Sequence, residues 1–254
     1  MAGLSTDAPL SLIPTPHKET GKSDEFTMDA SHMALVHNVI IRGYNSIYQQ
    51  APRIHQHDVR DFIGYCLAWN DMVLNHHHSE ETILFPLLEQ GAGVPGLMDT
   101  DKDEHEAFYG GMGEFAKYLD KCLKADDPSK AFDGKRVVAL MNAFGPALHS
   151  HLSNEPRHLA SLSKYPNIDT ATIRAKTEKD TMDRTSPVYL LPMLWFNLDA
   201  EFEDGRWADF PGLSWPLKWV MVNLFGWWRS NWWRFGSVGR DGKRVQLLAL
   251  REGY

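Results

Sequence analysis

Four long stretches of this chain repeat apolar residues at alternating steps of three and four, the spacing that lines one face of an α-helix. In the first, Met33, Val36, Ile40, Tyr44 and Ile47 with Tyr48 predict a helix from a cap at Thr27 or Asp29 to about Gln50, ended by Pro52. The second, His57 to Glu89, sets Phe62, Tyr65 with Cys66, Trp69, Met72 with Val73, Ile83 and Leu87 in phase. It stops at the breaker run Gly91 to Pro95. The third, Thr100 to Lys124, reads Phe108, Met112, Phe115, Leu119, the seam of a packed bundle. The fourth, Asp133 to Ser163, carries Val137, Leu140 with Met141, Phe144, Leu148, Leu159 and Leu162. Pro146 and Pro156 lie inside it, and each removes a backbone donor, so kinks are expected. Long helices with short connections predict an all-α fold, an antiparallel four-helix bundle over residues 27–165.

Every stripe is interrupted by ionisable residues at core-facing positions. They are His37, then His76 with Glu80, then His105, then His151 with Glu155. Such groups are costly in a core unless something pairs with them, and a pair of metal ions would hold all of them at once. Residues four apart share a helix face, so each His/Glu pair can present nitrogen and oxygen to one point. Imidazole with carboxylate suits iron, manganese or zinc. Any one of these histidines alone reads better as a hydrogen-bonded or surface residue; the case rests on all four helices carrying the substitution in phase.

Two ambiguities follow from the same spacing. His77 and Glu81 are also four apart, and the phase of Trp69, Val73, Ile83 and Leu87 selects His76 and Glu80, leaving His77 and Glu81 as alternates. Asp101, one turn before His105, is a further ligand or an acceptor behind the ligands. His78 reads as exposed and His149 as an ordinary polar residue. Tyr44, Tyr65 and Trp69 are in phase to wall a substrate pocket, or equally to fill the core.

Composition divides the rest of the chain. Eleven of twelve histidines lie between His32 and His158, while eight of nine tryptophans lie between Trp195 and Trp233. Residues 1–26, rich in Ser, Thr, Pro and Asp, read as a mobile tail without the layout of a secretory signal. Residues 166–254 form an aromatic-rich extension, too apolar to stay free in water and expected to pack back over the bundle; Asn167 to Arg184 has room for one short helix. The net charge of −7 argues against nucleic acid as a partner. Two cysteines, Cys66 and Cys122, suit a reducing compartment, and no run of apolar residues is long enough to span a membrane, so a cytoplasmic protein is expected. Trp215 to Phe235, followed by a basic C-terminus, raises contact with a membrane surface as a weaker idea.

The stretches Met33 to Asn38 with Arg42, His76 to Pro86, His105 to Phe108 and His151 to Glu155 resemble the hemerythrin-like, or HHE cation-binding, family over about Asp29 to Leu162. With its aromatic extension the chain looks like the larger fungal members. The resemblance implies two iron ions bound by His37, His76, Glu80, His105, His151 and Glu155, with dioxygen as ligand or co-substrate. Oxygen-carrying hemerythrins pair two histidines on the third helix, where this chain has Asp101 and His105. Their fourth helix places its carboxylate five residues after its histidine, whereas Glu155 follows His151 by four. Fewer nitrogen donors weaken simple oxygen carriage. The extension favours an oxygen-activating oxidoreductase acting on a small apolar organic substrate; the alternative is an oxygen- or iron-binding sensor or store without turnover.

Overall fold

A computed structural model describes residues 7–184 and 186–254. Its main elements are α-helices, with no strand among the described residues. A short helix α1 (Pro16–Thr20) leads into α2 (Glu25–Gln50), α3 (Val59–Ser79), a wide π turn (Glu80–Leu84), α4 (Phe85–Ala92), α5 (Asp99–Leu123), the single turn α6 (Pro128–Ala131) and α7 (Gly134–Ser161). The extension contributes α8 (Thr170–Arg184), α9 (Pro187–Trp195), α10 (Trp215–Val220), a second π turn (Met221–Phe225) and α11 (Ser230–Trp233). Among the described residues no helix is long and apolar enough to cross a membrane.

Helices α2, α3, α5 and α7 form the bundle, each touching its two neighbours in a closed ring. Their starts follow local chemistry: Asp24 caps α2 by accepting from the Thr27 amide, and Asp133 caps α7 by accepting from the Lys135 amide. The first cap thus falls a few residues before the expected Thr27 or Asp29. Most of the bundle's length is filled by one apolar cluster, in which Trp69 stands among Tyr44, Phe115 and Phe144. A smaller cluster of Leu84, Phe85, Leu88, Met98, Leu162, Ile168 and Ile173 closes one end. On α2 and α5 the histidines precede the main core in sequence; on α3 and α7 they follow it. With antiparallel helices this puts all of them in one layer between the two apolar clusters.

Two glycines admit aromatic rings where a Cβ would collide. At Gly43 it would lie 2.3 Å from the Trp69 ring, and at Gly64 2.2 Å from the Trp232 ring. The second contact seats the extension directly on α3.

For residues 7–26 the N-terminal segment is a correction to the expected mobile tail; residues 1–6 of that tail lie outside the described residues. From Leu10 onward it pairs with the bundle through side-chain amides that act as a strand edge would. Asn38 accepts from the Ile13 amide and donates to its carbonyl, both at 2.9 Å, and Asn45 does the same for Leu10. Ile13 and Thr15 are buried. The other end of the chain docks on the same helix: Arg42 donates to Asp199 at 2.9 Å, and Gln50 to the Phe235 carbonyl at 2.9 Å. Consequently Asn38, Arg42, Asn45, Ser46 and Gln50, which look like the wet face of an amphipathic helix, are all buried.

Helix α7 runs through both Pro146 and Pro156. Tyr44, Tyr65 and Trp69 are core residues, not pocket walls. Their polar atoms are satisfied inside by the Met141 carbonyl, Asn197 and the Ile40 carbonyl.

Candidate metal centre

The π turn explains what helix phase alone could not place. A π turn is wider than an α turn, so it rotates everything after it relative to the uniform spacing assumed from sequence. Beyond Glu80 the buried residues are Leu84, Phe85 and Leu88, whereas the expected Ile83 and Leu87 are only partly buried. Before it, both His76 and His77 turn inward: His77 is fully buried and His76 keeps 14% of its side chain exposed. The expected choice between His76 and His77 is therefore no choice, because the structure brings both to the same layer.

Donor atoms of His77, Glu80, His105 and His151 all lie within 4.8 Å of one another. So do those of His37, His151 and Glu155, and those of His37, His76 and Glu80. The three groups overlap through His37, Glu80 and His151. All six residues expected as ligands fall in the cluster, joined by His77. Glu81 and Asp101 do not.

Proton positions follow from the partners behind the rings. His37 Nδ1 is 2.8 Å from the Leu152 carbonyl, His105 Nδ1 is 2.7 Å from Glu81 Oε1, and His151 Nδ1 is 3.3 Å from Glu104 Oε2. A carbonyl or carboxylate oxygen can only accept here, so each Nδ1 carries its hydrogen outward. With one proton on each ring, Nε2 is then a lone-pair acceptor aimed into the centre. His105 Nε2 and His151 Nε2 are nonetheless only 3.0 Å apart. Glu155 Oε2 lies 3.3 Å from His37 Nε2 and 3.7 Å from His151 Nε2, and Glu80 Oε2 lies 3.6 Å from His105 Nε2. The carboxylate oxygens of Glu80 and Glu155 and both ring nitrogens of His77 form no hydrogen bond. Acceptors facing acceptors in a dry interior need a cation between them, and the donor set fits metal ions.

The Leu152 carbonyl is available to His37 for a covalent reason. In a regular helix it would accept from the amide four residues on, and that residue is Pro156, which has no amide hydrogen. Glu81, expected as an alternate ligand, instead accepts from His105 and from the Tyr109 hydroxyl at 2.7 Å. Asp101 accepts from His158 Nδ1 at 2.7 Å, and that contact raises the pKa of His158. Glu104 was not legible as part of the site: it precedes His105 on a helix edge and has no apolar phase to mark it. It also accepts from Asn154 at 2.8 Å.

Electrostatics match this layout. Burial, reinforced by the neighbouring imidazoles, holds His76 and His77 well below the usual histidine range, and burial also lowers His105. Burial and the charge of Glu155 push the Glu80 carboxyl well up. Two buried carboxylates of like charge share one site, and without a cation one of them tends to take a proton.

An antiparallel bundle with a buried His/Glu layer is a metal-binding architecture, and residues 28–163 match the hemerythrin HHE cation binding domain. The chain belongs to that family. It is also similar to the dimeric xanthone biosynthesis cluster protein R11 of Cryptosporiopsis sp. (strain 8999), 31% identical over 243 residues that cover 95% of this chain and 90% of the relative. No solved structure matches it.

Proposed function

We propose that the protein is a non-haem di-iron oxidoreductase that activates dioxygen and oxidises a small apolar aromatic compound. The observation that carries the iron reading is the ring of acceptors around His105 Nε2, His151 Nε2, Glu80 and Glu155, with the Nδ1 hydrogens of His37, His105 and His151 turned outward. Three overlapping donor groups support two ions in preference to one. Bound ferrous iron would pass electrons to dioxygen, the co-substrate, and the organic compound, being oxidised, would return them. His37, His76, Glu80, His105, His151 and Glu155 would hold it, with His77 as a seventh donor. Glu81, Glu104 and the Leu152 carbonyl orient the rings, and the apolar layers on either side exclude bulk water.

The substrate class rests on a cleft of about 760 Å³ between α3 and the extension, with Leu67, Met72, Leu190 and the Tyr189–Trp232 pair on its apolar side and Asp71, Asn75, His78 and Arg184 on its polar side. Tyr189 and Trp232 stack with ring centroids 5.7 Å apart, a surface suited to a flat ring. Met72 lies one turn before His76, which retains some exposure. The relative's name, a dimeric xanthone biosynthesis cluster protein, supports an aromatic compound of the same general kind. The buried free thiols of Cys66 and Cys122 support a reducing, cytoplasmic setting.

A second reading, an iron or oxygen store without turnover, is favoured by one observation: no donor residue lines this cleft or the one between α8 and the π turn. The test is anaerobic loading of the full chain with ferrous iron, followed by oxygen. Irreversible oxygen consumption accelerated by an added aromatic compound supports the enzyme. Colour that fades on degassing, or consumption indifferent to any organic compound, supports the store.

A further inference from the structure

The extension leaves an aromatic surface in water. Trp219 is 54% exposed, Leu224 55%, Trp227 67% and Trp228 52%; the other exposed large apolar side chains among the described residues are Val94 and Met182, elsewhere in the chain. This is not a loose end. The same segment buries Val222 and Trp233, and Trp233 Nε1 donates to the Trp228 carbonyl at 2.9 Å.

The segment that carries this surface holds basic residues and no acid of its own. From Pro211 to Arg240 the chain contains Lys218, Arg229, Arg234 and Arg240 and no Asp or Glu, in a protein whose net charge is −7. Arg234 is committed to Asp58 and Asp61. Arg229 is exposed and lies over the Trp232 ring, 5.1 Å from its centroid. Lys218 contacts Asp209, donating to its carbonyl at 3.4 Å and lying 3.9 Å from its carboxylate.

We propose that this face rests on an anionic lipid surface, with Trp219, Leu224, Trp227 and Trp228 in the headgroup layer and Lys218 and Arg229 against the lipid charges. Tryptophan has an apolar ring and a polar N–H, and it concentrates where lipid meets water. Basic residues beside such a surface add attraction to an anionic leaflet. No helix among the described residues is long and apolar enough to cross a membrane, so the attachment proposed is peripheral. A second copy of the chain is a poorer occupant. A two-fold contact through this face would bring the exposed Arg229 side chains of both copies together, and the segment supplies no acid of its own to neutralise them.

The test is flotation of the full chain with vesicles of phosphatidylcholine alone and with about one third phosphatidylserine added. The folded protein should float with the anionic vesicles, shift its tryptophan emission to the blue, and be released by high salt. Trp219→Ser, Trp227→Ser and Trp228→Ser combined should lower partitioning at least about tenfold. Lys218→Glu with Arg229→Glu should do the same while leaving circular dichroism and melting unchanged. Trp227→Ser alone, at the most exposed position, is the fallback if the triple variant does not fold, and should weaken flotation measurably. Failure of the wild-type chain to float with anionic vesicles overturns the proposal. So does equal binding to neutral vesicles, or a folded tryptophan variant that floats undiminished. A solution dimer that the tryptophan variant dissolves, with no flotation by either, assigns the face to a second copy and overturns it as well.

Discussion

Pro156 lies one helical turn beyond Leu152, and its missing amide hydrogen leaves the Leu152 carbonyl to hold His37 Nδ1 at 2.8 Å. A proline that costs its own helix about 3 kcal/mol by propensity thereby fixes the ring of a neighbouring helix. Pro156→Ala restores a competing donor. It should leave melting temperature unchanged or raised, yet weaken iron binding about tenfold, the scale of a lost ring-orienting contact. Anaerobic titration with ferrous iron decides it; undiminished affinity would mean that the Leu152 contact does not matter.

Glu81 is expected to act through His105 rather than on the metal. Glu81→Gln keeps its shape but removes the charge that holds the His105 Nδ1 hydrogen and the Tyr109 hydroxyl. Bound iron should fall about 10–100-fold in affinity with the fold intact. His78→Ala, at an exposed position, serves as the control and should change nothing. Equal iron content in both variants would remove Glu81 from the site.

Arg42 joins the bundle to both ends of the chain, through Asp199 and Asp7. It is buried, as is Asp199. Arg42→Met leaves Asp199 with Arg244 at 3.4 Å as its remaining cationic partner. A loss of about 3–5 kcal/mol is expected from uncovering a buried charge. Denaturant unfolding measures it, and a loss below about 1 kcal/mol would show that the pair is solvent-screened.

Asp58 ties down the C-terminus by accepting from Arg234 and from the Tyr254 hydroxyl, the latter at 2.7 Å. Burial works to raise its carboxyl, but these hydrogen bonds and the Arg234 charge win and hold it below its ordinary value. A depressed carboxylate stabilises the fold fully above its unfolded value of about 4, and that contribution is lost as pH falls through the folded value. Asp58→Asn should therefore cost about 1–3 kcal/mol at neutral pH and progressively less as the medium becomes strongly acid. Melting curves across that range test the sign; a constant deficit would show that Asp58 does not titrate with folding.

The helices, their antiparallel order and the six inward donors could be read from residue order, because helix periodicity is local and a charged group in an apolar stripe stands out against it. Three features could not. The π turn at Glu80 changes the phase on which the choice of His76 over His77 depended, and Ile83 and Leu87 give way to Leu84, Phe85 and Leu88 as buried residues. Glu81 and Glu104 face the rings from behind, a role set by the distance between helices and carrying no pattern of its own. The polar face of α2 reads as solvent-exposed because Asn38, Arg42, Asn45, Ser46 and Gln50 are the residues that would suit water. Their partners are Ile13, Asp199, Leu10 and Phe235, far away in the chain. Local periodicity determines which face of a helix is apolar; only the folded chain decides what covers the other one, because hydrogen bonds to a distant backbone leave no spacing in the sequence.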